Sequence, residues 1–142
     1  MNREAVFETL KIDEGVKYEV YADHLGYHTF GVGHLVTNDD PEWGSPCGTE
    51  VSKERVWECF EADLDTSISE CHALYGMREF NDCPDEVQQI LVNMMFNMGR
   101  TRLSKFKGMK RGVDSRDWNT AADEMIDSTW YKQVTNRADR LV

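Results

Sequence analysis

The spacing of apolar residues changes repeatedly along the chain, and each change marks an element. Val6, Phe7 and Leu10 recur at helical spacing, which predicts a helix over about 2–14, with Asn2 as its cap and Gly15 as its stop. From Tyr18 the pattern becomes β-like. Tyr18, Val20 and Tyr21 lead into a break at 22–26, and the pattern resumes over 27–33, which predicts a hairpin with Asp23 in its turn and Thr29 on the returning strand. Residues 38–46 hold two of the three prolines and a short acidic run. They predict a strand-poor connector whose carboxylates form a solvated turn, because they lack the alternate spacing of a calcium loop.

Helical periodicity then returns. Val56, Phe60, Leu64, Ile68 and Cys71 predict one long helix over about 52–74, capped by Ser52, with Arg55 standing where a full capping box has a glutamate. Val87, Ile90, Leu91, Met94, Met95 and Met98 form an almost wholly apolar face, which predicts a buried helix opened by Pro84 and ended near Gly99. Short helices are predicted near 107–111, from 115 or 116 through 126, and after 135. Their anchors are Phe106, Trp118, Ala121, Ala122, Met125, Trp130 and Tyr131.

Composition narrows this picture to one modest domain with a real core: 142 residues, 40% of them hydrophobic, and no apolar run long enough to cross a bilayer. Sixteen basic against 26 acidic residues give a net charge of −10, which argues against nucleic acid as a partner. No secretory leader is evident at the charged N-terminus, so the expected product accumulates in the cytoplasm. Cys47, Cys59, Cys71 and Cys83 are too widely spaced for a zinc pair. Cys59 and Cys71 would stand about 18 Å apart on one helix, too far for a disulfide, so reduced thiols are expected.

The chemistry concentrates in residues 11–35. Glu14 falls on the last turn of the first helix, where the negative end of the helix dipole favours a protonated carboxyl, as a general acid requires. Asp23 is open to two readings, a turn residue that bonds its own backbone or a second functional carboxylate. The Gly31-Val32-Gly33-His34 run has no third glycine and no helix start behind it, so it is not a dinucleotide loop.

Asp13-Glu14-Gly15, Tyr21-x-Asp23 and Gly26-Tyr27-x-Thr29-x-Gly31-x-Gly33-His34 together resemble the active-site stretch of the T-even phage lysozymes, glycoside hydrolase family 24. That resemblance implies Glu14 as proton donor, Asp23 as the carboxylate that handles the attacking water, and Thr29 as the hydroxyl that holds it. Gly31 and Gly33 would be small so that a sugar chain can approach the backbone. His34 would pair with Asp63, tying the glycine turn to the long helix in a structural role. Leu35, Phe96, Met109 and Glu124 align with substrate contacts, although Met109 and Glu124 differ in type from the polar residues expected there, and Phe96 equally suits a core. Arg137 corresponds to an arginine that approaches the proton donor. Trp118-x-x-Ala121-Ala122 and Trp130-Tyr131-x-Gln133-x-x-Asn136-Arg137-Ala138-x-Arg140 extend the match over nearly the whole chain.

The implied fold is α+β and mostly helical, a single lysozyme domain over 1–142. It has a β-lobe at about 15–51, a connecting helix at about 52–74, and a helical lobe at about 75–142 that takes back the helix at 2–14. The implied protein is a monomeric endolysin that hydrolyses the β-1,4 bond between N-acetylmuramic acid and N-acetylglucosamine in peptidoglycan. It would invert the anomeric centre, need no cofactor or metal and make no stable membrane insertion. It would wait in the host cytoplasm for a separate membrane pore. A non-catalytic peptidoglycan-binding module and a lysozyme domain from a phage tail or toxin are the alternatives. The family is often basic, so the acidic balance here suits either a salty working medium or mere solubility. The connector after Thr37 is short for the family, which implies a trimmed far edge of the β-lobe. The family also usually continues past Val142.

Overall fold

A computed structural model describes residues 2–126, 128, 138, 141 and 142. Helix α1 (Arg3–Glu14) begins where the Asn2 side chain accepts the Ala5 N–H and ends at Gly15, whose φ is 75°. Three strands follow, β1 (Lys17–Ala22), β2 (His28–Gly31) and β3 (His34–Leu35), in an antiparallel sheet of order β1-β2-β3. The expected hairpin is present, and β3 extends it. Segment 48–51 covers the outer edge of β1 through Val20 N–H to Thr49 (2.9 Å) and Val51 N–H to Tyr18 (2.8 Å). The edge is thereby paired without a further strand.

Helix α2 (Lys53–Tyr75) starts where the Ser52 hydroxyl accepts the Arg55 N–H at 3.1 Å, the cap expected from sequence. Helices α3 (Met77–Asn81), α4 (Asp85–Leu103), α5 (Lys107–Asp114) and α6 (Trp118–Ile126) complete the described elements. Within α4, Gly99 has φ 77°, so the helix breaks there as predicted and resumes at Arg100. The helix expected after residue 135 lies outside the described residues, apart from Ala138 and Leu141. The fold is α+β and mostly helical.

Two compact units divide the described residues, one over 2–66 and the other from 67 onward. In the first, Val20, Phe30, Val36, Val51, Val56 and Cys59 form a closed apolar cluster between sheet and helix. There α1 packs on α2: Phe7 meets Trp57 and Phe60 edge-on at 4.8 and 4.7 Å, and Arg3 pairs with Asp65 at 2.7 Å. Among the described residues α1 therefore groups with the sheet. In the second unit Leu91, Val92, Met94, Met95 and Met98 of α4 are buried, so the methionine stripe is core.

Candidate active site

Tyr21 lies near the candidate residues of the first unit. Its cross-strand partner is Thr29, so both side chains leave the same face of the sheet, and Asp23 follows two residues later. Burial raises the Tyr21 phenol above its ordinary value, and the negative charges of Asp23 and then Glu14 raise it further. Two carboxylates from separate elements thus act on one side chain.

Asp23 serves the turn as expected of an Asx residue. Its Oδ1 accepts the N–H groups of Leu25 (2.9 Å) and Tyr27 (2.8 Å), and Oδ2 takes part in none of the hydrogen bonds made by the described residues. The turn reading therefore holds for one oxygen and leaves the other available for chemistry. Thr29 is only 4% exposed, and its hydroxyl donates to the Tyr27 carbonyl at 3.0 Å. With its proton fixed there, the Oγ1 lone pairs are left to accept.

The two glycines differ. Gly33 is exposed and has φ 63°, a left-handed conformation that glycine takes without strain, and it lies beside Glu14, whose Oε2 would be in ordinary contact, 3.5 Å, with a Cβ there. Gly31 does not fit the expected role of admitting a sugar chain. It is buried with φ 64°, and a Cβ would press on Val56 Cγ1 at 3.2 Å, so its smallness serves sheet-to-helix packing.

His34 meets Asp63 as expected, Nδ1 to Oδ2 at 2.8 Å, and its Nε2 meets Asp40 Oδ2 at 2.9 Å. The solvated-turn reading of the acidic run fails for two of its members. Asp40 and Glu42 side chains are 14% and 15% exposed and pair with Arg55 at 3.1 and 2.9 Å. Their partner lies on the first turn of α2, a contact no local pattern in the sequence announces. His34, Asp40 and Cys59 offer ligand atoms within 4.8 Å of one another. Both His34 nitrogens are committed to carboxylates, and burial pushes the Cys59 thiol up to about 11, so the arrangement is an ion-pair network with Arg55 and His34 as its cations.

Burial alone would lower the His34 pKa, but its hydrogen bonds to Asp63 and Asp40, with their charges, raise it above 6.5. Burial likewise opposes the Asp40 charge, and the Thr37 N–H, His34 and Arg55 outweigh it, holding the carboxyl below 3.8. A raised histidine stabilises fully below pH 6.5 and loses its contribution as pH rises through the folded value; a lowered aspartate loses its own as pH falls below 3.8. The wild-type thermal midpoint should therefore decline above pH 6.5, while His34→Gln is flat there and about 2 kcal/mol less stable at pH 6. Parallel profiles measured from pH 6 to 9 would remove the charged pair.

Leu35 stands half-exposed on β3 opposite Thr29. Phe96, Met109 and Glu124 lie in the second unit. Phe96 is partly buried on α4. Met109 is 2% exposed and packed into the core of α5, which leaves its side chain no face for a sugar. The Glu124 carboxylate lies across Gly108 of α5. Arg137 is outside the described residues.

A three-stranded sheet with an acidic turn, a glutamate closing the preceding helix and a long helix behind them place the chain among lysozyme-like α+β proteins. The family model described as phage lysozyme matches residues 11–142, and the chain belongs to that family, as a lysozyme-type hydrolase. It is 30% identical to "Probable T4-type lysozyme 2" of Dictyostelium discoideum, across 95% of this chain and 89% of that one. "Probable T4-type lysozyme 1" of the same organism is 27% identical over 97% and 91%. The pre-baseplate central spike protein Gp5 of Enterobacteria phage T4 is 28% identical over 94% of this chain but only 26% of its own length.

Proposed function

We propose that the protein is a muramidase that hydrolyses the β-1,4 bond between N-acetylmuramic acid and N-acetylglucosamine of peptidoglycan with inversion. The observation that carries this reading is that one small sheet gathers the set: Asp23 holds the β1–β2 turn, Thr29 stands on β2 opposite Tyr21, and the Glu14 carboxyl lies beside Gly33 at the turn into β3. Glu14 gives its proton to the leaving glycosidic oxygen. A water lies between Asp23 and Thr29, donating one proton toward the Asp23 carboxylate and the other to Thr29 Oγ1. Its lone pair then attacks C1 from the face opposite the leaving group, so no covalent sugar intermediate forms.

In the endolysin form of this reading the enzyme waits in the host cytoplasm and reaches the wall through a separate pore. The likeness to part of the larger spike protein favours a second reading, a lysozyme module working within a phage structure. Both readings require the same bond cleavage. Digestion of purified peptidoglycan, followed by borohydride reduction, should convert muramic acid and not glucosamine, and early NMR spectra should show the α-anomer first. Reduced glucosamine would sink the muramidase assignment, and an initial β-anomer would sink inversion.

A further inference from the structure

Beside the hairpin turn lies a groove of about 370 Å³ lined by Gly26, Tyr27, His28, Leu35, Trp43 and Gly44, a volume within the roughly 300–1,000 Å³ typical of ligand pockets. Tyr27, Leu35 and Trp43 are 58, 49 and 61% exposed, three large apolar side chains left in water around one depression. Such a patch commonly marks a binding surface. We propose that this groove is a glycan subsite in which Trp43 and Tyr27 stack against an N-acetylhexosamine ring of the strand being cleaved.

Continuity with the candidate active site selects the occupant. The Tyr27 N–H holds Asp23 Oδ1 at 2.8 Å, its carbonyl takes the Thr29 hydroxyl at 3.0 Å, and Leu35 is paired with Thr29 on the sheet. A strand with a scissile bond at Asp23 and Thr29 has its neighbouring sugars at Tyr27 and Leu35. One pyranose face is mostly C–H, and it packs on an aromatic ring while the sugar's hydroxyls stay wet. His28 supplies a polar rim.

Trp43 is also held in advance. Its backbone N–H donates to the Asp40 carbonyl at 3.1 Å, which fixes the loop that carries the ring, and the Asp40 carboxylate is fixed by His34 (2.9 Å), the Thr37 N–H (2.9 Å) and Arg55 (3.1 Å), with Glu42 on the same guanidinium at 2.9 Å. An exposed aromatic on an anchored loop loses little freedom when a ligand arrives. The short connector therefore carries its own stacking surface, and the ion-pair network next to it acquires a purpose.

This inference rests on the lysozyme reading, and the test separates the two. Trp43→Ala should raise KM for peptidoglycan about tenfold with kcat within about twofold. It should weaken inhibition by chitohexaose, a glycan without peptide stems, to the same degree. Trp43→Phe should restore most of both. Thermal midpoints should be unchanged, because the side chain is exposed. Unchanged KM in Trp43→Ala would overturn the subsite. Impaired peptidoglycan turnover with normal chitohexaose inhibition would point to the peptide stem and overturn it too, as would failure of Trp43→Phe to rescue. A wild-type protein that releases no reducing ends would instead overturn the lysozyme reading.

Discussion

Glu14→Gln is expected to reduce peptidoglycan hydrolysis by roughly 100- to 10,000-fold, almost wholly in kcat, with the fold intact. Glutamine fills the same volume at the end of α1, beside Gly33, and keeps the hydrogen-bonding capacity. It has no proton to give to the departing sugar oxygen. A carboxylate at this position also meets the negative end of the helix dipole, so a neutral side chain of the same shape suits the end of α1. The thermal midpoint should accordingly stay within about 4 °C of wild type. Rate and midpoint are measured on one preparation. Hydrolysis within a few-fold of wild type would move the proton donor elsewhere, and lost hydrolysis with a large drop in midpoint would make Glu14 a structural residue.

The parts of the fold legible in the sequence are those decided locally. Ser52 caps α2, Gly15 stops α1, Gly99 breaks α4, and the apolar face of α4 has one period and one environment, so each was readable within a turn or two of chain. Strand β3 escaped because two residues carry no period, and α3 because its five residues are fixed mainly by burial of Phe80, a tertiary effect. The same divide runs through the site. Asp23 and Thr29 belong to one hairpin whose turn chemistry is written in its residues. The Asp40–Arg55 pair joins positions fifteen apart across a loop, and only folding brings it together. Gly31 misled for a related reason: a glycine in a strand says that something comes close, and here the close neighbour is Val56 rather than a ligand.

The second large effect separates the two duties of Asp23. Asp23→Asn should retain the turn, because an amide oxygen can accept the Leu25 and Tyr27 N–H groups as Oδ1 does, and asparagine suits turns of this kind. Its midpoint should match wild type. Activity should nevertheless fall by roughly 100- to 10,000-fold, since the group replacing Oδ2 can no longer take a proton from water. Asp23→Ala loses both duties. Two N–H groups lose their acceptor in an exposed turn, so that variant should be inactive and also less stable, by about 1 kcal/mol. If Asp23 were only a turn residue the pattern would change: the asparagine variant would be active and stable, and the alanine variant would lose activity only as far as it loses structure. Active asparagine would therefore dismiss Asp23 as the base. Inactive but stable asparagine, beside inactive and destabilised alanine, would assign the turn to Oδ1 and the water to Oδ2.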